Sequence, residues 1–220
     1  MAISRFLAGL KWSDCPLSII IDHTPPTTMT ETDCPWPDYI YISFSSSIAQ
    51  DANDGVGVED NTFFGPMMRL FYTLFSPDEG PYDVKPHFRP SRSREHVKVP
   101  TVMVEVNRHP VFFLEIKPPA SLLDESKRQE ADKQMRQKFK DLGPLLDVPA
   151  LYGVCAFGTR LAFYEYDRAT CDIQPTEVTQ PASEVAPIER WDSDIFEKEG
   201  ADRLKFIVER VKDMCTVSEE

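Results

Sequence analysis

Glu115 and Lys117 are the residues whose types and spacing point most directly to chemistry. They close the apolar run Val111-Phe112-Phe113-Leu114-Glu115-Ile116-Lys117. Side chains alternate along a strand, so the carboxylate and the amine project from one face and Ile116 from the other. Burying both is costly unless they are paired or used. A carboxylate offers a hard oxygen ligand to Mg²⁺. A neighbouring ammonium group can orient water or offset charge developing on phosphate. The pair therefore suits a metal-dependent phosphodiesterase.

Several elements must position this pair. From Val97 to Pro119 two apolar strands flank the turn Asn107-Arg108-His109-Pro110, which predicts a hairpin. A helix follows over Asp124–Leu142, with Ala131, Met135, Phe139 and Leu142 as its apolar stripe and Gln134 at the border. Two further strands, Ala150–Phe157 and Leu161–Tyr166, are joined by Gly158-Thr159-Arg160, a connection short enough for antiparallel pairing. A hairpin, a helix, two strands and a closing helix predict an α/β (α+β) domain, a mixed central sheet with flanking helices.

That order, with Glu-x-Lys near the end of the second hairpin strand, resembles the PD-(D/E)xK nuclease superfamily over roughly Val97–Tyr166. The resemblance implies a restriction-endonuclease-like fold, with Glu115 and Lys117 as catalytic residues and Mg²⁺ or Mn²⁺ as cofactor. It also implies a helical glutamine facing the site: Gln134 is the candidate, Gln129 the second choice. The family's first acidic residue should fall at Pro100-Thr101, where this chain has threonine.

A missing carboxylate weakens a Mg²⁺ site unless another supplies it. Glu105 on the partner strand, Glu59 or Asp60 at the start of a helix near Thr62, and Asp83 in the loop before the basic stretch Lys85–Lys98 are the expected replacements beside Glu115. A literal Pro37-Asp38 lies far upstream and reads as a turn pair.

Lys85, Arg89, Arg92, Arg94 and Lys98 form a cationic segment opposed only by Glu95. It reads either as a nucleic-acid-binding loop that guides phosphate to the hairpin or as a solvated counterweight to an acidic surface. The whole chain carries 24 basic and 36 acidic residues, a formal charge of −12, which argues against broad nucleic-acid binding.

The 220 residues, 41% of them hydrophobic, suit one domain with extensions. The expected division is an irregular Thr/Pro-rich N-terminal extension (1–38) and a core (39–170). A Pro-punctuated surface linker (171–190) and a C-terminal amphipathic helix (191–220) complete it. Within the first two segments Leu17–Ile21 and Tyr39–Phe44 read as strands, Asp51–Asp60 as a loop and Thr62–Phe75 as a buried helix. The last helix is expected over Ser193–Met214, capped by Ser193 and weakened at Gly200. Five widely spaced cysteines without Cys-x-x-Cys predict reduced thiols, hence a cytoplasmic or nuclear protein. No apolar run approaches a membrane span, and no membrane partner is expected.

Walker-type phosphate loops and nucleophile-elbow serines are missing from the sequence, which argues against an NTPase or a serine hydrolase. Three readings stand: a Mg²⁺-dependent nuclease with an altered acidic set; a catalytically degenerate module of the same fold that binds a protein or nucleic acid; or a strand end whose Glu115 and Lys117 are simply salt-bridged.

Overall fold

The computed structural model describes residues 34–54, 62–87, 101–177 and 186–217, all within one compact unit, Cys34–Glu220. The expected strand Leu17–Ile21 and the irregular extension up to Asp33 lie outside the described residues, as do Glu59, Asp60, Arg89, Arg92, Arg94 and Lys98.

Six strands form the main sheet: β1 (Tyr82–His87), β2 (Thr101–Val106), β3 (His109–Lys117), β4 (Ala150–Phe157), β5 (Arg160–Asp167) and β6 (Ile173–Gln174). They lie in that order, and a short seventh strand, β7 (Ser193–Asp194), also pairs with β5. Only β3 and β4 are parallel; the other pairs are antiparallel. The sheet is mixed and the class is α/β, as expected.

Helix α3 (Glu125–Leu142) connects the parallel pair and covers one face of the sheet. Its stripe of Ala131, Met135, Phe139 and Leu142 packs against Met103, Phe113, Leu151, Cys155 and Tyr164. Helices α1 (Asp38–Asp54), α2 (Phe64–Leu74) and α4 (Lys198–Val217) supply the apolar side chains of the opposite face. There Ile40, Phe44, Met67, Phe71, Leu204 and Val208 meet Val102, Phe112, Leu114, Val154 and Phe163. Residues alternate along β3 from Phe112 onward: Phe112, Leu114 and Ile116 go to the three-helix face and Phe113 to α3, while Val111, at a register shift against β2, joins Phe112 on the three-helix face.

Several elements differ from expectation. Tyr39–Phe44 is helical, because Ile40, Phe44 and Ser47 are the buried positions, a spacing of four and three that a helix stacks on one face. The aromatic, β-branched composition that suggested a strand is overridden by this packing. The helix runs on to Asp54, so Asp51–Asp54 is not loop. Tyr82–His87, expected as loop, is edge strand β1; its Pro86 is tolerated there because an edge strand needs fewer ladder donors.

The hairpin turn is two residues, Asn107 (φ 52°) and Arg108 (φ 69°), both left-handed, as the tightest hairpins require. The Pro-rich linker is tied down at both ends, by β6 and by a 3₁₀ turn, Ile188–Trp191, whose Trp191 is fully buried. Ser193 belongs to β7 rather than to a helix cap. Gly200 sits inside α4, where an added Cβ would lie 2.0 Å from the backbone oxygen of Asp194; contact with the chain entering α4, rather than helix breaking, explains that glycine.

Candidate functional site

Glu115 and Lys117 lie at the carboxyl end of β3, held between two strands. Thr101 opens β2 directly across from Glu115, and Cys155 of β4 is the register partner on the other side. Lys117 is followed by Pro118 and Pro119, which end the strand, and its carbonyl accepts a bond of 3.1 Å from the Gly158 amide. The carboxylate is therefore fixed in the sheet, and the amine stands at its rim, half-buried.

Helix α3 supplies the roof. Asp124 caps it, its side chain accepting from the Ser126 amide at 2.8 Å. Gln134 accepts from the Lys117 ammonium and donates to Glu130 at 3.0 Å. One turn on, Lys138 Nζ donates to Thr101 Oγ1 at 2.6 Å and to Glu115 Oε1 at 3.0 Å. The Lys138–Glu115 pair is enclosed, with side-chain exposures of 11% and 4%. The ammonium also lies 5.5 Å from the centre of the Phe113 ring. Glu115 Oε2 is buried without a partner among the described residues.

Thus the structure brings together Glu115, Lys117 and Gln134, with Thr101 in the place where the resemblance implied an acid. It does not bring Glu105 or Asp83 to them. Asp83 and Glu105 face each other across β1 and β2, and both bind Lys85, at 3.2 and 2.6 Å. Glu105 lies four residues along β2 from Thr101, about 13 Å at the rise of a strand. Lys85, expected as a free phosphate contact, is thereby engaged by two carboxylates, which hold its ammonium above the usual lysine range, chiefly through the Glu105 bond. Gln129 turns to Glu125 of its own helix, at 2.8 Å.

A divalent ion does not fit these residues as they stand. One carboxylate faces a neutral hydroxyl, and an ammonium group already lies between them. Among the described residues no three His, Cys, Asp or Glu side chains converge. Cys155, beside Glu115, is no nucleophile: burial pushes its thiol up to about 12, so it stays protonated.

Lys138 is the site residue the sequence reading missed. Its signal was present: it lies four residues after Gln134, hence on the same helix face. A second missed cluster lies further up α3. Asp132 accepts two bonds from Arg136, one from Tyr164 at 3.0 Å and one from Arg190. Arg136 also reaches the Pro175 carbonyl at 2.8 Å, and Arg128 reaches those of Ala186 and Leu122, each at 2.9 Å. These arginines clamp the chain around Pro175 and Ala186 against α3, so they serve architecture rather than chemistry.

No protein-family model, curated protein or solved structure matches the chain.

Proposed function

We propose that this chain is a divergent PD-(D/E)xK-like module whose phosphodiester site persists as a metal-independent recognition site for nucleic-acid phosphate and does not cleave. The observation that carries the proposal is the register of Thr101 against Glu115. It leaves one carboxylate where metal-dependent hydrolysis needs a fuller oxygen set. The order α2-β1-β2-β3-α3-β4, with β3 and β4 parallel and Gln134 of α3 reaching Lys117, supports the family reading. Lys117 supports the ligand class: it is half-buried at the rim and its contact is a neutral amide, so its charge is available to an anion.

A second reading, a Mg²⁺- or Mn²⁺-dependent nuclease, is favoured by one observation, the unpartnered Glu115 Oε2. A cleavage assay separates the two. Labelled single- and double-stranded DNA and RNA are incubated with the protein in Mg²⁺, Mn²⁺ or chelator. The recognition reading expects intact substrates throughout. Metal-dependent cleavage that Glu115→Gln abolishes would replace it with the nuclease reading.

A further inference from the structure

We propose that Lys138 is a tethered cation that takes the place of a metal ion between Glu115 and Thr101 and so closes the site to divalent metal. This rests on the PD-(D/E)xK-like reading of the site, and it concerns what controls metal there. Three observations converge on it.

The first is position. The ammonium touches both strand residues at once, 3.0 Å from Glu115 Oε1 and 2.6 Å from Thr101 Oγ1. A cation shared by β2 and β3 at this height would have to sit between these same two side chains. The second is that the placement is over-determined. Lys138 is fixed by its helix, by the two polar contacts and by the Phe113 ring below it. A monovalent cation held within the same chain competes at a high effective concentration against any ion from solution. The third is the remaining acceptor. Glu115 is 3% exposed and its Oε2 has no partner among the described residues. One ammonium therefore satisfies only one of the two oxygens, and the coordinating capacity of the carboxylate is half used.

Removing the ammonium leaves a buried carboxylate with both oxygens unsatisfied, beside a neutral hydroxyl. That is a site with a strong requirement for a cation. The device costs the site its metal and supplies instead a fixed positive charge that no chelator can withdraw. Lys117 then faces ligand from a site whose charge balance is independent of the metal concentration around it.

The test is Mn²⁺ binding, read from the loss of the free-ion electron paramagnetic resonance signal, for wild type, Lys138→Met and the double variant Lys138→Met/Glu115→Gln. The expected result is at least tenfold tighter Mn²⁺ binding by Lys138→Met than by wild type, with the gain lost in the double variant. Lys138→Arg, which keeps the charge, should stay closed. Should Lys138→Met fold poorly, a thermal melt reads the same property: Mn²⁺ should raise its Tm while leaving that of wild type unchanged. No gain in Mn²⁺ affinity or Tm on removing Lys138 would overturn the inference, and so would a gain that survives loss of Glu115. Nucleic-acid binding is not part of this readout, so failure of the recognition reading leaves a distinct signature: a metal gain without any oligonucleotide affinity.

Discussion

Gln134 and Lys117 meet across the gap between α3 and the end of β3, the glutamine carbonyl accepting from the ammonium. The contact links two elements that are adjacent in sequence only through a 3₁₀ turn and the Asp124 cap. It fixes the amine at the rim without neutralising it. Replacing Lys117 by Met should therefore remove anion affinity while leaving the melting temperature within a degree or two, because a rim residue contributes little to stability. Gln134→Ala should weaken binding by less, about two- to fivefold, through loss of one orienting bond of about 0.5–1 kcal/mol. Fluorescence anisotropy with a labelled oligonucleotide measures both effects. An unchanged affinity in Lys117→Met would remove Lys117 from the site.

Asp132 is buried and accepts from Arg136, Arg190 and Tyr164. Asp132→Ala leaves two buried guanidinium groups without their counter-ion and should cost about 3–5 kcal/mol in urea denaturation. The loss should be accompanied by protease sensitivity near Pro175 and Ala186, since Arg136 and Arg128 hold the carbonyls there. A cost below about 1 kcal/mol would mean that the network does not clamp this segment.

Much of this fold was legible in the sequence, and the failures have physical causes. β3, β4 and β5 are long apolar runs buried on both faces, and α3 carries a clear apolar stripe on one face, so their types are clear. Glu115, Lys117 and Gln134 were legible because strand alternation and the border of the α3 stripe set their directions. α1 was misread because Tyr39-Ile40-Tyr41-Ile42 is aromatic and β-branched, and only burial of Ile40, Phe44 and Ser47 reveals the helical face. β1 contains a proline, and β6 and β7 are two residues each; all three owe their existence to the strand beside them. The role of Lys138 depends on how far α3 lies from β2, a tertiary distance that spacing along α3 does not contain.

Gly200 carries a local test of packing. An alanine there would place its Cβ 2.0 Å from the Asp194 oxygen and 2.8 Å from its carbonyl carbon. Backbone must move, so Gly200→Ala should destabilise by about 1–3 kcal/mol, against the small gain alanine gives inside an unobstructed helix. A neutral or stabilising result in thermal denaturation would show that β7 and the start of α4 shift freely.

Alkaline pH should destabilise the fold through Cys155. Burial raises its thiol from 9.0 to about 12. A group with a raised folded pKa gives stability that is present in full below the unfolded value and lost as pH rises toward the folded one. The window is therefore about pH 9 to 12, with a slope of up to about 1.4 kcal/mol per pH unit from this group. Cys155→Ala should make the alkaline limb shallower. An identical limb in the variant would assign it wholly to other groups, Cys215 among them, whose thiol burial raises to about 11.

The proposed site of Lys117, Gln134, Glu115 and Lys138 should bind phosphate without metal. Labelled single- and double-stranded oligonucleotides titrated with the protein in chelator at low ionic strength test this directly. With a net charge of −12, affinity should be weak and should fall steeply with added salt, since each neutralised phosphate releases counter-ions. It should not change when Mg²⁺ replaces chelator at matched ionic strength, and Lys117→Met should lower it at least tenfold. Binding that appears only with Mg²⁺, or no binding at any salt, would rule out metal-independent phosphate recognition by this site.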